Sequence, residues 1–256
     1  MPLDTHAILL LLSVLAPPVI IAITTHEASH GFIAWKCGDD TAYQRGRVTF
    51  NPLKHIDAFG TIILPAMMFV SFGGMFGYAK PVPINPNRFH HYRRDYVLVA
   101  AGGPGSNIVL AIASALLLNL VPHEAQDLNS GNLLTRMMYE PLFSSGWLTA
   151  WISAVLVNSI TINVVLAIFN MLPMLPLDGG RVVAALLPQG LSRAYARTER
   201  FGMLVLLALI LLPQLLGNHL AVDINILGWI LGPASRYVRS IIGHLAGLGD
   251  ALTFID

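Results

Sequence analysis

Charge is what this sequence has least of. Only 11% of its 256 residues are Asp, Glu, Lys or Arg, where a soluble domain carries about 25%. So thin a supply of charge excludes an ordinary soluble domain. The 15 basic and 14 acidic residues leave a net charge of +1. That removes the basic footprint a nucleic-acid binder needs, so no nucleic-acid partner is expected. Cys37 is the single cysteine, which excludes an internal disulfide. The N-terminus has neither a basic leader region nor a small-residue cleavage site, so its apolar run reads as a retained span and not a signal peptide. Repeats, low-complexity tracts and linkers are also missing, and residues 1–256 read as a single domain. Apolar residues take the place of charge. They make up 55% of the chain, with a mean hydropathy of +0.64, which points to an integral, multi-pass membrane protein whose first partner is the lipid bilayer.

The apolar residues fall into runs. Ala7 to Thr24 is about long enough to cross most of a bilayer. Pro17-Pro18 should bend it, because neither can donate a backbone hydrogen bond. The helix that carries this run should end near Lys36. A basic loop follows, with Lys36, Arg45, Arg47 and Lys54, and inside it Gly46-Arg47-Val48-Thr49-Phe50 alternates and predicts a short strand. The next run, Ala58 to Ala79, is interrupted by Pro65, Gly73-Gly74 and Gly77. It leads to a second basic loop with Lys80, Arg88, Arg93 and Arg94. A full crossing would put two equally basic loops on opposite sides, against the positive-inside rule. A re-entrant hairpin buried against protein keeps both in the cytoplasm. Tyr96 to Pro122 is the following span, and the acidic loop His123 to Gly146 suits the outer side. Trp147 and Trp151 mark an interface from which a span runs to about Leu172. Arg181, Arg193, Arg197 and Arg200 return the chain to the cytoplasm. Phe201 to Leu216 crosses outward, and Ala221 to about Ala234 either returns or lies on the surface. The expected fold is an all-α polytopic membrane protein of about five or six transmembrane helices, with a re-entrant or short β element after the first.

His26-Glu27-Ala28-Ser29-His30 closes the first apolar run. On a helix, positions i and i+4 share one face, so His26 and His30 can reach one metal ion. Glu27 is then placed to act on a water that the metal activates. Ionisable groups in an apolar span are costly and mark function. A catalytic zinc takes three protein ligands and keeps a fourth position open. Asp178 is the best third candidate. It sits in a stretch, Asn170 to Arg181, where two prolines and two glycines break the helix at membrane depth, and an unpaired carboxylate is costly there. Asn170 could hold the backbone of an extended substrate. Gly102-Gly103-Pro104-Gly105-Ser106-Asn107 falls at a similar depth. Plainer roles compete. Asp178 could cap the helix beginning near Arg181. The Gly102–Asn107 stretch could serve close helix packing. Asn170 could be a cap or an interhelical hydrogen bond, and Asn158, Thr161 and Asn163 could hold helices together. His55 and Asp57 lie on a loop that either reaches the site or is solvated.

These three motifs, in this order, resemble the site-2 protease family of intramembrane zinc metalloproteases, peptidase family M50. That family carries HExxH, a GPxxN-like element and an N-x-x-P-x-P-x-L-D-G pattern. The resemblance covers most of Ala7 to Arg181. It implies His26, His30 and Asp178 as ligands of one Zn2+ per chain, and Glu27 as the catalytic acid/base. It also implies Asn170 in the substrate-binding region and Asn107 in helix packing. Gly46–Asp57 and Ala79-Lys80-Pro81-Val82-Pro83 further resemble the small branch without PDZ or CBS domains. The prolines read Pro173-Met174-Leu175-Pro176-Leu177-Asp178-Gly179 here, a slight respacing that leaves the aspartate and glycines in place. The implied activity is that of a zinc metalloendopeptidase cutting transmembrane segments of other membrane proteins, in regulated intramembrane proteolysis. A catalytic core of about residues 7–187 and C-terminal membrane segments of about 201–243 follow. The implied setting is the cytoplasmic membrane of a prokaryote, with the site nearer the cytoplasmic face; a homo-oligomer is left open. The rival class is a membrane metal carrier or an inactive scaffold that keeps the metal site. Such a protein needs the ligands but not the adjacent Glu27.

Overall fold

The computed structural model describes residues 5–64, 67, 77–122, 128–220 and 226–254, and among them every regular element is helical. In chain order these are α1 (Thr5–Lys36), α2 (Thr41–Gln44), α3 (Tyr92–Asn119), α4 (Ser130–Tyr139) and α5 (Ser145–Asn170). After them come α6 (Asp178–Leu186), α7 (Gln189–Ala196), α8 (Glu199–Leu220) and α9 (Ile226–Leu245). Among the described residues α1, α3 and α5 are long and apolar enough to cross a membrane, at 32, 28 and 26 residues. Helices suit that setting because they satisfy every backbone donor and acceptor internally. Exposed Leu9, Leu12 and Ile21 on α1 and Leu116 and Leu117 on α3 make up outer faces suited to lipid. Pro17 and Pro18 do not end α1, and Pro104 does not end α3.

Four expectations need correction or completion. The short strand at Gly46–Phe50 is absent. Gly46 N donates to Tyr43 O and Arg47 N to Ala42 O, with Gly46 at φ +62°. The backbone thus turns back on α2, and no ladder forms. Val48 lies against Gly31 of α1, while Arg47 is buried and Phe50 exposed, so the alternation does not sort the side chains by face. The run expected to be re-entrant is described only in part. Ala58–Ile63 is a π-helical turn, and residues 65–66 and 68–76 lie outside the described residues. The loop His123–Gly146 contains α4. Asn129 Oδ1 caps it by accepting from Gly131 N at 2.9 Å, and Leu128, Leu133 and Met137 are buried. The last segment does not stop near Ala234. It runs through Pro233 and Gly243 and continues to Leu245. There Leu248 N bonds Gly243 O at 2.8 Å and Gly247 N bonds His244 O at 3.2 Å, with Gly247 at φ +79°. That pair of bonds is the Schellman arrangement that ends a helix on a left-handed glycine.

The chain forms two compact units. The first comprises Met1–Ala22, Asn107–Ala167 and Pro233–Asp256. Polar groups spaced along its apolar helices bind them together. Asn107 Nδ2 donates to Asn163 Oδ1 at 2.7 Å and to Ala22 O at 3.3 Å, Ser114 and Ser159 hydroxyls meet at 2.8 Å, and Trp151 Nε1 donates to Ser13 Oγ at 3.2 Å. Leu118, Val157, Ile160 and Val164 fill the space between them. The second unit comprises Ile23–Ser106 and Ile168–Gly232. It contains the HExxH motif, both basic loops and the Asn170–Arg181 stretch. A small core of Ala34, Cys37, Phe89 and Val99 joins the end of α1 to the start of α3. Burial, then the Asp95 carboxylate, pushes the Cys37 thiol up.

Candidate metal centre

All the candidate ligands lie in the second unit. One turn of α1 carries His26 and His30. Asp178 is the first residue of α6, reached through the Met171–Leu177 loop that follows α5. His26 Nε2 and His30 Nε2 are 3.0 Å apart, and Asp178 Oδ2 lies 3.2 Å from the first and 3.3 Å from the second. All three residues are buried. For a tetrahedral zinc with N and O ligands at about 2.0–2.2 Å, neighbouring ligand atoms stand about 3.3–3.5 Å apart. The observed triangle is at or slightly inside that spacing, so the three donors fit one ion. Two imidazoles and a carboxylate are also the donor set that a catalytic zinc takes.

The surroundings keep these donors in place. His30 Nδ1 lies 2.7 Å from Val99 O, within α3. A carbonyl can only accept, so Nδ1 carries the proton and Nε2 presents its lone pair to the site. This is the outer support usual for a metal-binding imidazole. Gly103 lies against the same pair: a Cβ there would fall 2.6 Å from both Cε1 and Nε2 of His26. Asp178 does not cap α6. The cap position is Leu177, which makes no side-chain bond. Its second oxygen, Oδ1, faces Arg181 Nη1 at 3.5 Å. The two glycines after it are required by the loop. A Cβ on Gly179 would lie 2.5 Å from Leu172 O, and one on Gly180 2.5 Å from Leu175 N. Tyr195 of α7 donates to Pro173 O at 2.9 Å and fastens the same loop.

Glu27 is half-buried on α1, and its Oε2 accepts from Val82 N at 3.0 Å. Asn170 is the last residue of α5, half-buried and eight positions before Asp178. Asn107 belongs to the first unit and acts there as a helix tie through Asn163. Asp57 is a cap: its Oδ1 accepts from Phe59 N at 3.1 Å and Gly60 N at 2.7 Å. His55 is not on a solvated loop. It is buried, with Nε2 3.0 Å from Thr49 O. The sequence reading missed the tasks of Val99 and Val82, which act through backbone atoms. It read Gly103 as general helix packing and did not see that it borders the imidazoles.

The model of peptidase family M50 matches residues 14–213. A Bacillus subtilis (strain 168) protein named "Putative zinc metalloprotease YwhC" is 35% identical over 204 residues, 78% of this chain and 80% of that one. Proteins named "Putative zinc metalloprotease Rip2" from Mycolicibacterium smegmatis and Mycobacterium tuberculosis (strain H37Rv) are 27% and 28% identical, over 77% of this chain and 66% of each of theirs. No solved structure matches the chain.

Proposed function

The chain belongs to peptidase family M50, and on that premise we propose that it is a zinc metalloendopeptidase that cuts transmembrane segments of other membrane proteins. One observation carries this reading: two imidazoles beside Glu27, on a helix apolar enough to cross a membrane, converge with the Asp178 carboxylate at 3.0–3.3 Å. His26, His30 and Asp178 would hold one zinc ion. When bound, zinc supplies Lewis acidity and makes water nucleophilic near neutral pH. Glu27 takes the proton released by the attacking water and delivers it to the leaving amine nitrogen. Val99 keeps the His30 ring oriented, and Gly103 leaves space for His26. Asn170 is assigned to hold the substrate in extended form, since helical amides are hydrogen-bonded and shielded. The adjacent base supports a hydrolase over a metal carrier, which has no need of it.

The substrate in this reading is a membrane protein presenting a transmembrane helix. Further spans by α8 and α9, and a re-entrant run near 58–79, bring the total to about five or six. The basic loops around Arg45–Lys54 and Lys80–Arg94 support a site nearer the cytoplasmic face, in the cytoplasmic membrane of a prokaryote. The test is cleavage of a single-span substrate by purified protein, with zinc quantified for wild type and Glu27→Gln. The reading expects cleavage by wild type alone and zinc in both. Zinc transport in proteoliposomes that survives Glu27→Gln would overturn it.

A further inference from the structure

We propose that the Lys80–Pro83 strap, held by the buried Arg47 side chain, is the positioning element of Glu27. This rests on the reading of Glu27 as the proton acceptor. Proline has no backbone N–H, so Pro81-Val82-Pro83 contains a single backbone donor. That donor, Val82 N, is bonded to Glu27 Oε2 at 3.0 Å. The prolines fix φ at 81 and 83 and confine the residues before them to extended backbone. The sequence therefore narrows the backbone on either side of the Val82 N–H.

The strap is fastened on both sides of that donor. Lys80 N donates to His55 O at 2.9 Å, and Arg47 Nη2 donates to Lys80 O at 2.6 Å. Beyond the prolines, Asn85 N donates to Asp39 Oδ2 at 2.5 Å, and Asp39 is completely buried. The strap also sits directly on α1. A Cβ on Gly31, one turn after Glu27, would lie 3.2 Å from Val82 Cγ1, a contact with little slack. Arg47 is the unusual member. It is buried, it spends its charge on a carbonyl, and among the described residues its Nε has no hydrogen-bond partner. A buried guanidinium without a carboxylate is costly, and an apolar residue would serve stability better. Its use is geometric: it sets where Lys80 O lies, and through two proline-restricted residues it sets where Val82 N points. With Oε2 held by that amide, the Glu27 carboxylate has one orientation, and Oε1 is the oxygen left to take the proton. Orientation of this kind acts on turnover more than on substrate binding.

Hydrogen exchange followed by mass spectrometry tests the bond directly. Val82 carries the only exchangeable amide between Lys80 and Ile84, so peptide-level data read a single N–H. In wild type it exchanges slowly, and in Glu27→Ala it speeds up by about tenfold or more, while the Lys80 and Asn85 amides keep their rates. Equal exchange at Val82 in the two proteins would overturn the proposal. In turnover, Val82→Pro lowers kcat by about 10- to 100-fold, with KM within about twofold of wild type and one metal ion per chain retained. Arg47→Met lowers kcat in the same way, and Arg47→Lys, which can still donate to Lys80 O, restores part of it. Wild-type kcat in Val82→Pro would overturn the proposal. If Val82→Pro fails to fold, the exchange comparison decides. Full cleavage activity in Glu27→Gln would instead remove Glu27 from the role of proton acceptor, and the exchange result would still report whether the strap holds it.

Discussion

Replacing Gly103 with alanine should cost metal affinity without costing the fold. The added Cβ would meet His30 Nε2 first and stand 2.6 Å from His26 Nε2 and Cε1, whereas ordinary contact begins at 3.4 Å. The imidazoles or α3 must therefore shift by at least about 0.8 Å, the difference between the last two distances, while metal–ligand distances tolerate about 0.2 Å. The ring cannot simply rotate away, because its Nε2 is held 3.0 Å from His30 and 3.2 Å from Asp178. Displaced support of this kind lowers metal affinity by about 10- to 100-fold, or about 1.4 to 2.7 kcal/mol. The assay is zinc competition with a chromogenic chelator, on purified wild type, Gly103→Ala and Gly105→Ala. The last is the matched control. It lies on the same helix two residues on, and a Cβ there meets nothing within 4 Å. Gly105→Ala should bind as wild type. Folded Gly103→Ala with wild-type zinc affinity would refute the claim that this glycine exists to clear the imidazoles.

Asp178→Asn keeps the shape of the third ligand but removes its charge. Zinc affinity should fall by more than the roughly 100-fold upper range for outer supports, as read in the same competition assay. Asn163→Ala leaves buried Asn107 without its 2.7 Å acceptor. It should lower unfolding free energy by about 1–3 kcal/mol, and a double cycle with Asn107→Ala should be non-additive. Met137→Ala, in the buried face of α4, should cost about 2–5 kcal/mol in denaturant unfolding and leave zinc affinity unchanged.

Much of the site was legible because its side chains carry the chemistry. His26 and His30 follow from helical periodicity and Glu27 from its place between them. Asp178 follows from a carboxylate sitting among helix breakers. Backbone groups leave no such mark. Val99 O, which orients His30, and Val82 N, which holds Glu27, could belong to any residue type. The Pro-Val-Pro stretch was visible, but its consequence, a lone donor in a fixed direction, needs the fold to give it an acceptor. Hydropathy found the spans α1, α3 and α5 but passed over α4. A ten-residue amphipathic helix does not register in a window set to bilayer thickness. The false strand at Gly46–Phe50 shows the converse: the alternation is there, but the backbone turns back on α2, Arg47 is buried and Phe50 is exposed. His55 looked solvated because loops usually are, yet it packs inside with its carbonyl bonded to Lys80.

The order of the ligands along the chain has a consequence for biosynthesis. Two of the three come from a single turn near the N-terminus, and the third follows about 150 residues later, a delay of roughly 7 to 30 s at ordinary translation rates. Throughout that interval the nascent chain displays both imidazoles and the acid/base but lacks the carboxylate that completes the donor set. A two-histidine half-site holds zinc weakly and offers it to competitors. On the proposed ligand set, the donor triangle closes only once the loop before α6 has folded back onto α1.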